Sequence, residues 1–126
     1  MKKVDFLIIG GSAAGTTAAD TIRNLMPEAS ITIVTEENYP QYSLVLIPHY
    51  IRGKITREQV FLKKPQWYSE HRIELVKGVR AQRLEVNKKT VTLSNGEEIQ
   101  YGKLLITVGG KVIPFNVHGA DSKNLL

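Results

Sequence analysis

The sequence predicts an α/β fold, a parallel sheet that carries a three-stranded antiparallel meander, and three observations lead to it. An apolar run at residues 3–9 ends in Gly10-Gly11-Ser12-Ala13-Ala14-Gly15 and opens into a small-residue helical stretch. A second β-branched run at residues 31–34 is closed by Glu36. After residue 80 the pattern changes to short, partly alternating segments joined by turn signals. The 126 residues suit one domain with one core.

The first two observations read together as strand, Gly-rich turn, helix, strand and acidic residue. That is the layout of a Rossmann-like, dinucleotide-binding βαβ unit. Gly10 permits the sharp turn out of the strand, and Gly15 and Ala19 keep side chains small where the helix crosses the sheet. The first free N–H groups of the helix, with its dipole, face a pyrophosphate. Ser12 stands where the pattern has its middle glycine, so backbone approach to the phosphate is more crowded there. Glu36 lies about twenty residues beyond Gly15, where a carboxylate accepts hydrogen bonds from a ribose. Thr35 and Glu37 are the alternatives, because a one-residue shift in the strand end changes which side chain faces the ligand. A βαβ unit kept only for packing has the same elements.

Along the chain, residues 5–9 form the first strand, central and buried on both faces. The helix covers residues 13–25, stops before Pro27, and turns a stripe of Ala14, Ala18, Ala19, Ile22 and Leu25 to the sheet. Residues 31–35 are the second parallel strand, and residues 37–43 a loop with Pro40 and two tyrosines. Residues 44–52 are apolar enough for a buried helix despite Pro48, with Gly53 as its C-cap. Thr56-Arg57-Glu58-Gln59 resembles a helix start, and residues 64–72 hold a short helix with Pro65 in its first turn. Residues 73–76 are a third short strand. Residues 81–86, 90–93 and 98–101 form the meander, joined by Asn87-Lys88-Lys89 and by the hairpin pair Asn95-Gly96. Residues 104–108 return to the parallel sheet, and residues 112–121 leave it as an extended Pro- and Gly-containing segment.

Composition narrows the chemistry. The chain has no cysteine, which excludes disulfides, a thiol nucleophile and thiolate metal sites. The apolar run after Met1-Lys2-Lys3 is broken by Asp5, too short to cross a membrane and not ended as a signal peptide, so the expected location is cytoplasmic. The net charge is +5, but basic residues come in scattered pairs; this favours a solvated face over a nucleic-acid surface and suits an anionic nucleotide. His49, His71 and His118 show no metal-ligand spacing and read as surface or packing residues, with a place near a bound ligand as the alternative for His49. Ser12 has no His/Asp partner at a spacing that suggests hydrolysis. Glu97-Glu98 beside the hairpin turn is a solvated pair. Trp67 and Tyr68 pack the helix onto the sheet or mark a partner surface, and Tyr39 and Tyr42 cover a ligand or plug their loop.

The βαβ unit, the meander and then Leu104-Leu105-Ile106-Thr107-Val108-Gly109-Gly110, in that order, resemble the flavin-dependent pyridine nucleotide-disulfide oxidoreductase superfamily. Residues 101–109 are similar to its second signature, an apolar strand ending in Ala-Thr-Gly, with Thr107-Val108-Gly109 as the variant here. Ile113-Pro114 and Gly119-Ala120-Asp121 are similar to its exit segment. Single-cysteine NADH oxidases and coenzyme A-disulfide reductases place a redox cysteine before a Leu-Pro-Tyr-Tyr-like stretch. Here Ile47-Pro48-His49-Tyr50 corresponds to that stretch and Val45 stands in the cysteine's place. The segment from Thr35-Glu36-Glu37 to Tyr42-Ser43 is closer to the cysteine-free branch of rubredoxin, ferredoxin and nitrite reductases. Members of that branch often carry Arg-Pro where this chain has Leu44-Val45.

The resemblance implies FAD as cofactor. It implies contacts from Gly10, Gly11, Ser12, Ala13, Ala14, Gly15, Thr35, Glu36, Glu37, Tyr42, Ser43, Val108 and Gly109, and it assigns no catalytic residue. It implies a module of an oxidoreductase passing electrons from NAD(P)H through FAD to a redox partner protein or small acceptor. A non-catalytic nucleotide-binding or interaction subunit is the alternative. In such proteins the FAD domain is discontinuous. Residues 1–126 read as its N-terminal part, a fragment or a split subunit, without the nicotinamide domain or the returning FAD segment. Uncovered apolar surface would then favour self-association into a homo-oligomer.

Overall fold

The computed structural model describes residues 1–114 and 116–119. The element order is β1 (Lys2–Ile9), α1 (Ala13–Leu25), β2 (Ile31–Val34), a 3₁₀ turn at Leu44–Leu46 running into α2 (Ile47–Ile51), a second 3₁₀ turn at Glu58–Val60, then α3 (Pro65–Glu70), β3 (Ile73–Val76), β4 (Ala81–Glu85), β5 (Thr90–Leu93) and β6 (Glu98–Ile106). One sheet holds all six strands in the order β3-β2-β1-β6-β5-β4. The neighbours from β3 to β6 run parallel, and β6, β5 and β4 pair antiparallel.

β1 is the inner strand that its apolar sequence predicts. Leu7 and Ile8 are both fully buried, on opposite faces. Leu7 joins Val4, Val34, Val91, Leu93, Ile99 and Tyr101 in a core roofed by the meander. Ile8 joins Ile31, Ile33, Ile73, Ala19 of α1 and Tyr68 of α3 in a core beneath the helices. Each such side chain contributes about 1.5–3 kcal/mol on burial, so the two-sided core fixes where β1 ends. Trp67 belongs to the helical core, edge-on to Tyr68 at 5.1 Å and stacked on His71 at 4.4 Å, which is the packing role. Pro65 starts α3, and Asn95-Gly96 closes the β5–β6 hairpin with Gly96 at φ +87°.

Three expectations are corrected. Residues 98–101 and 104–108 are not separate strands but the continuous β6, which ends at Ile106. The alternation breaks at Gly102: Ile99, Tyr101 and Leu104 all pack in one core, and β1 makes the same shift between Val4 and Leu7. The strands close up here, so that a β carbon on Gly102 would lie 2.8 Å from the Asp5 carbonyl oxygen. Residues 44–52 are not a buried helix: no residue of the 3₁₀ turn or α2 is fully buried, Leu46 and Ile47 are half-buried, and Leu44, Val45 and Ile51 are each more than 70 % exposed. Pro48 begins α2 because a helix running through it from Leu44 would lack the proline N–H. Gly53 still caps its end, at φ +70°.

The third correction concerns the inner face of α1. Ala14 and Leu25 are exposed, while Gly15, Thr16, Ala19 and Arg23 are buried. Arg23 is only 9 % exposed, and its guanidinium donates to the carbonyls of His71 (2.7 Å), Pro27 (2.6 Å) and Arg72 (2.8 Å). It joins the C-terminal ends of α1 and α3, where free carbonyls attract a cation. Residues 111–114 form an exposed irregular segment; Asp121 and Ala120 of the expected exit segment lie outside the described residues.

Arg23→Ala would leave the His71 and Arg72 carbonyls without their donor, while Pro27 keeps its bond from Arg72 Nη2, and is expected to lower stability by about 2 kcal/mol. A urea midpoint that does not move would contradict this role. Asp5 tests the β1–β2 junction. Its carboxylate accepts the Ser30 N–H (2.7 Å) and hydroxyl (2.8 Å), the N–H bond being the larger cause of a pKa held below the usual value. A depressed folded pKa gives stability that is present above the unfolded value and lost as pH falls through the folded one. The stability gap between wild type and Asp5→Asn is therefore expected to be wide at neutral pH and to narrow in acid, which urea titrations at several pH values would read.

Candidate functional site

The C-terminal ends of β1, β2 and β6 meet the start of α1 around a cleft of about 250 Å³. Its floor is the Gly10 turn. Gly10 has φ +113°, donates its N–H to the Val34 carbonyl at 2.8 Å, and has no room for a β carbon against the Thr107 carbonyl. Gly15 is equally constrained, because a β carbon there would overlap the Gly10 carbonyl. Thr107 ties the turn to β6: its N–H donates to the Ile9 carbonyl at 2.8 Å, and its hydroxyl lies 3.1 Å from the carbonyl oxygens of both Ile9 and Gly10. Ser12 caps α1 without a side-chain hydrogen bond, so the leading N–H groups of the helix stay open on the cleft side of the turn. This glycine cradle, with helix N–H groups at its rim, has the shape and donor set for a pyrophosphate.

The opposite wall is acidic. Thr35 is buried and works through its backbone, bonded to Val76 and Val79; its hydroxyl accepts the Glu37 N–H at 3.3 Å. Glu36 stands at the mouth and accepts a hydrogen bond from Arg80 Nη2, which with the guanidinium charge and a lesser effect of Lys111 holds its carboxyl below the usual range. Glu37 lines the cleft too, but its carboxylate receives the Tyr42 hydroxyl at 2.8 Å. That bond is the main cause, ahead of burial, of a Tyr42 phenol pushed above its usual pKa.

The cleft therefore gathers Gly10, Gly11, Ser12, Thr35, Glu36, Glu37 and Val108. Ala13 and Ala14 form the exposed first turn of α1, with Gly15 behind them. Tyr42 faces a neighbouring apolar cavity of about 500 Å³ with Tyr39, Ile47, Tyr50 and Phe61. Ser43 borders neither space and donates its N–H to Val60 at 2.9 Å; Gly109, at φ +70°, follows the lining residue Val108. Val79, Arg80, Ala81 and Thr107, none of them expected from the sequence as site residues, also line the cleft. The variant signature Thr107-Val108-Gly109 was the available signal for Thr107; nothing local marked Arg80. His49 lies on α2 outside the cleft, and the described residues hold no group of three or more metal-ligating side chains. Among them no helix is long and apolar enough to cross a membrane.

Residues 4–126 match the model of the family described as pyridine nucleotide-disulphide oxidoreductase. The chain is 31 % identical over 121 residues to the NADH-rubredoxin oxidoreductase of Clostridium acetobutylicum, covering 96 % of this chain and 31 % of that protein. The crystal structure of the same enzyme aligns with a TM-score of 0.85 at 30 % identity, covering 95 % of this chain and 31 % of that one. The chain is also 30 % identical over 126 residues to the 5,5'-dehydrodivanillate O-demethylase ferredoxin reductase subunit of a Sphingobium species, covering 99 % of this chain and 31 % of the relative. It thus spans about a third of the length of these curated relatives.

Gly10→Val places a branched side chain at a positive φ against Thr107 and is expected to abolish dinucleotide binding. Ser12→Gly should preserve or strengthen it. Titration of both variants with FAD decides, and unchanged affinity in Gly10→Val would remove the cradle from consideration.

Proposed function

Because the chain belongs to the pyridine nucleotide-disulphide oxidoreductase family, we propose that it is the FAD-binding module of a flavoprotein that passes electrons from NAD(P)H to a redox partner. FAD is the cofactor that goes with this family, and when bound it supplies the means to take up a hydride and release electrons. The observation that carries the reading is the cradle at Gly10 and Gly15, set opposite Glu36 across one cleft.

In this reading Gly10, Gly11 and the first turn of α1, Ser12, Ala13, Ala14 and Gly15, hold the pyrophosphate through backbone N–H groups. Glu36 accepts the hydroxyls of the adenosine ribose, Thr35 fixes the strand end behind it, and Glu37 braces Tyr42. Val108, which lines the cleft, and Gly109 after it are assigned to the flavin side; Tyr42, in the neighbouring cavity, and Ser43 beside it are assigned to the same side. The chain has no cysteine, so none of its own thiols stores electrons beside the flavin. In this reading the chain supplies the N-terminal part of a discontinuous FAD-binding domain. Hydride transfer needs the nicotinamide held about 3–3.5 Å from the flavin. The single Gly-rich motif is given to FAD, so the NAD(P)H site lies outside these residues. The relatives' printed names, an NADH-rubredoxin oxidoreductase and a ferredoxin reductase subunit, support a small redox protein as acceptor.

The test joins flavin titration to NADH oxidation with a dye acceptor. The chain is expected to bind FAD in competition with ADP, yet to oxidise NADH no faster than free FAD does. Turnover by the chain alone would show that it contains the donor site. Absence of both FAD and ADP binding would overturn the cofactor assignment.

A further inference from the structure

Arg80 reaches the cleft from the loop between β3 and β4, which is fastened on both sides. Gly78 and Val79 donate their N–H groups to the carbonyls of Glu37 and Thr35, both at 3.1 Å. Arg80 itself donates its N–H to Ser94 Oγ at 3.0 Å and accepts the Ser94 N–H at 2.8 Å. The guanidinium therefore has a fixed root. Glu36 lies just beyond β2 with its side chain 63 % exposed, and a free glutamate samples many rotamers. Its one bond from Arg80 Nη2 engages Oε1 only. A carboxylate has about four acceptor positions, so Oε2 and part of Oε1 remain open for two vicinal hydroxyls. Arginine has no acceptor and stays charged, so it selects one carboxylate orientation without competing for the ribose.

We propose that Arg80 is a positioning residue that holds the Glu36 carboxylate across the cleft mouth for the adenosine ribose. This rests on the FAD reading above. The ion pair is exposed at both ends, and such pairs add little to folding. Its effect belongs in ligand discrimination, not in the unfolding midpoint.

The test uses ADP and 2′-deoxy-ADP, which carry the same charge and differ by one ribose hydroxyl. Calorimetry would compare wild type, Glu36→Gln, Arg80→Ala, Arg80→Lys and the Glu36→Gln/Arg80→Ala pair. Wild type is expected to prefer ADP, and Arg80→Ala to lose about five- to tenfold of that preference while its urea midpoint stays put. Arg80→Lys should recover part of it, and Arg80→Ala should have no further effect on the preference in the Glu36→Gln background. An equal fall in affinity for both nucleotides would overturn the proposal, since Arg80 would then act on the phosphates alone. A gain in ADP affinity in Arg80→Ala would overturn it too, by showing that the pair competes with the ribose. If wild type binds neither nucleotide, the cofactor reading itself fails and the role of Arg80 with it.

Discussion

Much of this structure depends on one contact, the place where Gly10, Gly15 and Thr107 meet with no space for a β carbon on either glycine. Three elements converge there: the end of β1, the first turn of α1 and the residue after β6. Because Gly15 has no side chain, α1 sits directly on the turn and its open N–H groups come level with the end of the sheet. Because Gly10 takes a positive φ, the chain leaves β1 and enters the helix within three residues. Thr107 then ties the end of β6 to the same turn. A cleft bounded by three independent elements keeps its shape only when these backbones are held so close.

The rest of the chain holds that point in place. The meander roofs one face of β1 and the two helices cover the other, so β1 cannot shift in register without exposing Leu7 or Ile8. Arg23 performs a related task at the far end of α1, where backbone carbonyls of two helices share one guanidinium. Burying an arginine without a carboxylate is tolerable because those carbonyls are already oriented, and those of His71 and Arg72 would otherwise lack a donor. Helix α1 is thus fixed at its start by the Gly15–Gly10 contact and by the Thr16 hydroxyl, which donates to the Gly11 carbonyl at 3.1 Å, in the middle by Ala19 and at its end by Arg23.

What was legible in the sequence was local. The βαβ unit, the Pro65 helix start and the Asn95-Gly96 hairpin each rest on residues that are neighbours in the chain. What was missed connects distant residues: Arg80 to Glu36 across 44 positions, Arg23 to His71 across 48, and Thr107 to Gly10 across 97. No local pattern reports such pairings. The two errors of element type have different causes. Gly102 breaks the alternation of β6, so a single strand reads as two. Residues 44–52 are apolar in composition but lack a helical stripe, and Pro48 divides them, so composition alone suggested a burial that does not occur.

The glycine motif also divides by physical demand. Gly10 needs both a positive φ and the missing β carbon, and Gly15 needs the missing β carbon alone. At Gly11 a β carbon would come 3.1 Å from Thr35 Cβ, a close contact that small movements relieve. Position 12 demands neither, since Ser12 has φ −81° in extended backbone and is exposed at the helix cap. A serine is therefore compatible with an intact cradle there, and its departure from the glycine pattern does not argue against the site. Of the three positions that the pattern reserves for glycine, 10, 12 and 15, the two that cannot accept a side chain are the two that this sequence keeps as glycine.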